Sequence, residues 1–283
     1  MNVRWGAWLV PPLVVSLLLF AIPQLVFLKM SLFRDLGLGR LGTRVEVGNY
    51  VESLSDPFYL SSLGLTVVLS AIAVVLALLF GFPVAYVLAR MRSRWGSVLL
   101  AVLVISSFIT VVIKVLGLII LFSANGPLNR TLVALGVEGG VQMLGNRIGV
   151  VIGLLHYTLA FVVLLLVSVI QTIPRSLEEA AQVHAANRWR VFQRVVIPLS
   201  LPGIIAAALT VFNLSMGAFT SAALLGGGKV LTLPVLVQRT IILETKYGMG
   251  AALSAILLVA VLLINAVSIV AVARAQRASR LAV

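Results

Sequence analysis

The chain has no cysteine, which excludes disulfide frameworks, cysteine-ligated zinc, iron–sulfur clusters and thiol catalysis together. It leaves the redox compartment open. Charge is scarce as well: 10% of the 283 residues are Asp, Glu, Lys or Arg, against roughly 25% in an average soluble chain. An ordinary soluble domain needs more polar surface than that. Disorder is excluded from the other side, because disordered chains are poor in apolar residues and 61% of this one is hydrophobic. Acids are the scarcest charges, 8 against 21 basic residues, for a net charge of +13. With only two histidines, neither a catalytic His/Asp/Glu set nor a metal site is expected, and no catalytic residue is assigned.

What the chain has in abundance is long apolar runs. Crossing about 30 Å of hydrocarbon at 1.5 Å per residue takes roughly 20 residues. Six stretches qualify, at about 8–30, 62–88, 97–122, 148–170, 203–225 and 250–273. They are apolar all round, as lipid or a membrane-protein interior requires. The first is too long for a cleaved leader and is followed by no small-x-small cleavage site. The expected fold is therefore an all-α polytopic membrane protein, a single transmembrane domain over 1–283.

Orientation rests on arginine density beside the span ends. Arg90, Arg92 and Arg94 crowd one very short connection, and Arg274, Arg277 and Arg280 follow the last span. Both groups face the cytoplasm only if both termini do. The basic balance then reports topology rather than a nucleic-acid face. The connection over 171–202 becomes the longest cytoplasmic piece. Ser176-Leu-Glu-Glu179 has capping-box spacing, so a short helix is expected to begin near Leu177. Asn187 can cap a second helix, along which Trp189, Phe192, Val195 and Val196 fall at helical spacing. Pro198 and Pro202 are expected to interrupt the chain before the fifth span.

Glu179-Ala180-Ala181, then Ala185, then Val195-Val196-Ile197-Pro198 resembles the EAA signature of ABC importer permeases, Glu-Ala-Ala-x3-Gly-x9-Ile-x-Leu-Pro. The spacing matches throughout. Val195 and Ile197 are conservative departures, while Ala185 stands where the signature has Gly. Gly48-Asn49-Tyr50 with Asp56-Pro57, Asn125-Gly126-Pro127-Leu128-Asn129, and Gly217-Ala218-Phe219 with Leu225-Gly226-Gly227 look like the spermidine/putrescine-type branch. The resemblance implies a multi-pass subunit of a bacterial inner membrane. Its partners would be a second permease, two ATPase subunits, an extracytoplasmic solute-binding protein and membrane lipids, with no nucleic acid. The 171–202 loop would carry the coupling helix between spans 4 and 5. Glu179, Ala180, Ala181, Ala185, Arg188, Arg190, Val195, Ile197 and Pro198 would form the ATPase-coupling set. The chain would bind no cofactor, and ATP and Mg would belong to the partner ATPase. Consistently, the sequence has no Gly-x4-Gly-Lys-Ser/Thr phosphate loop; Gly226-Gly227-Gly228-Lys229 imitates a fragment and is read as a turn.

Polar residues inside spans are expensive and face packed interfaces or a water-filled path. Ser106, Thr110, Lys114, Asn213, Ser215 and Thr220 are the pathway candidates, each with helix–helix contact as its plainer role. Lys114 either snorkels to the outer interface or faces the solute. His156 is expected to hydrogen-bond a neighbouring helix. No Asp or Glu lies within any span, which sits poorly with a polyamine dication. An acid from the second permease, or an anionic or zwitterionic solute, would resolve that conflict. The competing class is a self-contained secondary transporter or channel, which would show ionisable coupling residues in broken midplane helices or an internal repeat.

Overall fold

The computed structural model describes residues 5–137, 141–183 and 187–281. Among these, six helices are long and apolar enough to cross a membrane: Leu9–Ser31, Pro57–Arg90, Val111–Ala134, Arg147–Gln171, Arg188–Met216 and Tyr247–Val270. The chain divides into two compact units, residues 1–63 with 233–283, and residues 64–232.

The first unit pairs helix α1 (Trp5–Ser31) with α13 (Tyr247–Leu281). Between α1 and α3 (Pro57–Arg90) the expectation of an all-helical chain fails. Strands β1 (Phe33–Asp35) and β2 (Leu41–Val45) form a small antiparallel hairpin. Its turn uses positive φ at Gly37, Leu38 and Gly39. Asp35 closes the unit, because its carboxylate accepts from the backbone N–H groups of Gly248 (2.9 Å) and Met249 (2.8 Å) at the start of α13. Asn49, on α2 (Gly48–Ser55), donates to the carbonyls of Ser31 and Phe33, and the hydroxyls of Tyr50 and Ser31 bond at 2.6 Å. The Gly48-Asn49-Tyr50 motif is thus a clasp on the end of α1. Asp56 accepts from the Phe58 N–H and Pro57 occupies the first helical position, so Asp56-Pro57 starts α3.

The second unit is built on α7 (Arg147–Gln171), capped by the Asn146 side chain on the Gly149 N–H. Its apolar core joins Ala77, Phe82 and Ala85 of α3, Val162, Leu166 and Ile170 of α7, and Ala207 and Val211 of α10 (Ile197–Met216). Gly81 and Gly203 let these helices approach closely. A Cβ on Gly81 would stand 2.9 Å from the Val162 side chain, and one on Gly203 2.6 Å from Val169. Gly227 and Gly228 have positive φ, and the Lys229 N–H donates to Gly226 O, so that segment is a turn.

Three expectations of helix extent are corrected. The span placed at 97–122 is two helices, α4 (Arg94–Phe108) and α5 (Val111–Phe122), separated by extended Ile109 and Thr110. Ile109 and Thr110 are both β-branched and weak helix formers, and they follow Ser106 and Ser107, of which Ser107 donates to Val104 O. The run placed at 203–225 is α10, ending at Met216, and a separate α11 (Phe219–Leu225) after Gly217 and Ala218. Pro198 and Pro202 do not interrupt the chain. Pro198 lies in the first turn of α10, preceded by a π-helical turn, Phe192–Val196, in which the Ile197 N–H reaches Phe192 O. The widened turn accommodates the ring and the missing N–H.

Candidate functional site

After α7 the chain turns through Thr172–Pro174 into α8 (Arg175–Val183), then α9 (Arg188–Val191), whose first turn is capped by the Asn187 side chain on the Arg190 N–H at 2.8 Å. The helix starts at Arg175, so Ser176 lies inside its first turn rather than at the cap, and the expected Ser176–Glu179 box is not formed. The Leu177 N–H instead donates to Pro174 O. Glu178, not Glu179, is the carboxylate held by the protein.

Glu178 is 7% exposed. Its Oε1 accepts from Arg90 Nε at 2.7 Å and Nη2 at 2.5 Å, and its Oε2 accepts from the Tyr86 hydroxyl at 2.9 Å. Arg90 Nη2 also donates to Ile173 O at 3.1 Å, and Arg175 Nη2 donates to Arg90 O at 3.3 Å. The end of α3, the end of α7 and the first turn of α8 are therefore tied through one buried ion pair. A buried charge survives only when paired and hydrogen-bonded, and this one has both. The negative charge in the first turn of α8 also suits the helix dipole.

An aromatic set closes the other edge. Phe192 packs edge-on against Phe82 and Tyr86, with centroids 5.3 and 5.1 Å away, and Trp189 stacks on it at 5.4 Å. Trp189 nevertheless remains exposed. Of the coupling set, Glu179, Ala180, Arg188, Arg190 and Pro198 are exposed and Ala181, Val195 and Ile197 are half-buried, while Ala185 lies outside the described residues, as does His184. Tyr86, Arg90, Arg175, Glu178, Glu179 and Arg188 help line an open cleft of about 500 Å³. Leu177, Ala180 and Val183 are all exposed at i, i+3, i+6 spacing, Val183 by 84%. They form one apolar stripe beside Glu179. The sequence signal for that stripe was present as spacing. The signal for Glu178 was the Tyr86/Arg90 pair one turn apart at the end of α3, which needs an acid.

The pathway candidates gather at the two helix breaks. Ser106, half-buried, ends α4; Thr110, exposed, precedes α5; Lys114 sits in the first turn of α5 and is buried. Asn213 and Ser215 lie in the last turn of α10 and Thr220 in the first of α11. α5, α7 and α11 pack on one another, so Lys114 and Thr220 share a helix cluster. Ser215 and Ser221 are buried with no hydrogen-bond partner among the described residues. His156 is exposed on α7 rather than bonded to a neighbour. Among the described residues no cluster of His, Asp and Glu could hold a metal ion.

Six spanning helices, with a short-helix loop bolted to the helix ends before the fifth, make a multi-pass transport permease. The chain belongs to the binding-protein-dependent transport system inner membrane component family, which matches residues 77–280. It is 31% identical over 234 residues to the spermidine/putrescine transport system permease protein PotB of Haemophilus influenzae, covering 82% of each chain. To the sulfate transport system permease protein CysW of Synechocystis it is 30% identical over 219 residues, 76% of this chain and 78% of that one. The fold matches a bacterial alginate ABC transporter solved with an alginate pentasaccharide-bound periplasmic protein, at a TM-score of 0.75 and 21% identity, covering 93% of this chain and 92% of that one. The chain is a permease subunit of an ABC importer, and its relatives are transport permeases rather than enzymes.

Proposed function

We propose that residues 1–283 act as one transmembrane unit lining half of the path of an ATP-driven importer in a bacterial inner membrane. A second permease completes the path, and an extracytoplasmic solute-binding protein delivers a small polar solute. Two ATPase subunits hold the ATP and Mg, and this chain binds no cofactor. Both termini and the 171–202 loop face the cytoplasm, where α8 and α9 dock on an ATPase. Glu179, Arg188 and Arg190 supply charge at that contact, and Pro198 shapes the loop around it.

One observation carries this reading. α8 presents Leu177, Glu179, Ala180 and Val183 outward while Glu178 ties its opposite edge to Arg90 and Tyr86. An exposed, partly apolar ridge on a rigid mount suits a helix that receives force from another protein and passes it to the spans. A secondary transporter has no use for such a ridge. The solute is of the polyamine type, the reading supported by the spermidine/putrescine permease relatives.

The test is copurification with topology labelling. A tagged chain is expected to bring down a second permease and an ATPase. A cysteine introduced at the exposed Ser176 is expected to resist an impermeant maleimide in intact cells, while one at Leu38 in the hairpin reacts. ATP-independent uptake by the tagged chain alone, or labelling of position 176 from outside, overturns the proposal.

A further inference from the structure

Two cavities follow one another along α3. The first is an open groove of about 460 Å³ between α3 and the segment from α9 into α10. Val75, Leu79 and Phe82 form one wall and Trp189, Phe192 and Ile204 the other, and every lining side chain is aliphatic, aromatic or proline. The α3 wall, from Val75 to Pro83, runs for about 12 Å inside a helix long and apolar enough to span a membrane. The second cavity begins three residues further on, at Tyr86. It is the cleft of about 500 Å³ that Arg90, Arg175 and Arg188 help line. Tyr86 lines the cleft, Phe192 lines the groove, and their edge-on contact, with centroids 5.1 Å apart, is the boundary between them.

The groove is poorly made for a helix of another protein. Helices associate in lipid through small side chains and interhelical hydrogen bonds, and this lining offers branched and aromatic groups instead. The close-approach glycines Gly81 and Gly203 are already used against Val162 and Val169. An acyl chain needs neither device. The cleft adds charge: its three arginines face two glutamates, Glu178 and Glu179. Glu178 is matched by Arg90, while Arg175 and Arg188 form no ion pair among the described residues. A surplus of positive charge at the end of a span, continuous with an apolar groove, complements an anionic lipid headgroup and its tail.

We infer that groove and cleft together hold one anionic phospholipid, its acyl chain along α3 and α10 and its phosphate at Arg175 and Arg188. The inference rests on the permease assignment, which sets the cleft at the cytoplasmic surface, and adds a lipid to the loop between α7 and α10.

Trp189 is a native reporter, because it lines the groove and is exposed. The tagged full chain, with the subunits that copurify, is placed in phosphatidylcholine nanodiscs carrying a minor fraction of either phosphatidylglycerol or phosphatidylcholine with brominated chains. The Trp189 signal is the difference between wild type and Trp189→Phe. Brominated phosphatidylglycerol is expected to quench it about fivefold or more as effectively, per lipid, as brominated phosphatidylcholine. Arg175→Gln and Arg188→Gln are each expected to lower that preference about fivefold. Trp95, exposed beside Arg92 and Arg94 but outside the groove, is expected to show a preference at least threefold weaker, read the same way with Trp95→Phe. If neither arginine variant assembles, the wild-type comparison of Trp189 with Trp95 decides. Equal quenching by the two lipids, no quenching by either, a preference indifferent to both arginine variants, or an equal preference at Trp95, each overturns the inference. Subunit composition of the same sample and labelling of position 176 test the permease assignment separately.

Discussion

Glu178 and Lys114 are buried to the same 7% exposure in the same compact unit, and the protein treats them in opposite ways. Glu178 is matched on both oxygens by Arg90 and Tyr86, with Arg90 further anchored to the backbone at Ile173. Lys114 is matched by nothing among the described residues. A buried charge that is fully paired belongs to the architecture, since its removal strands a partner. A lysine can bury its stem and carry its ammonium to the surface, and so needs no partner within the protein. The pair ties the end of α3 to the first turn of α8, and nothing among the described residues is tied to the lysine.

The largest expected effect comes from breaking the matched site. Glu178→Ala strands Arg90 and is expected to cost about 3–5 kcal/mol, read as loss of folded protein and a lower Tm in detergent. Replacing both partners, Arg90→Leu with Glu178→Leu, should recover most of that loss, because no charge is then left buried; a double variant as unstable as the single ones would show that the pair is not the bolt.

Next comes the exposed neighbour. On the proposed docking, Glu179→Ala is expected to leave the fold intact and to remove a charge-assisted contact to the ATPase, worth about 1.5–3 kcal/mol. Uptake per ATP hydrolysed should fall about tenfold or more while abundance stays near wild type. Equal losses of abundance for Glu178→Ala and Glu179→Ala would erase the distinction between the two glutamates.

In the other compact unit, Asp35→Ala removes a carboxylate cap from two N–H groups of α13. It is expected to cost about 0.5–2 kcal/mol, measured as a modest fall in Tm with uptake retained. The smallest effect is assigned to Ser176→Ala. Since Ser176 is exposed and not at the cap, the change should stay within about 0.5 kcal/mol, and a larger fall in Tm would restore the capping role that its spacing implied.

Much of the frame is legible from residues alone, because six apolar runs and a charge-poor composition leave few other solutions. Part of the 171–202 loop is legible as local structure, since Asn187 does cap and Trp189 and Phe192 do stack, while the Ser176 cap is not formed. Spacing cannot say which of two adjacent glutamates faces inward. They are about 100° apart around the helix, and the choice depends on how α8 is rotated against α3. The break at Ile109 and Thr110 was hidden for another reason: it has neither Gly nor Pro, only β-branched residues whose weak preference is decided by packing. Pro198 misled in the reverse sense, because a π-helical turn absorbs it.

The central claim is that α8 is the surface that meets the ATPase. Because the chain has no cysteine of its own, a single cysteine at Val183 can carry a short photoreactive maleimide in the purified complex. Illumination is expected to yield one dominant adduct, joining this chain to the ATPase subunit, and Glu179→Ala is expected to reduce it. An adduct with the second permease or with lipid alone, and none with the ATPase, would contradict the account.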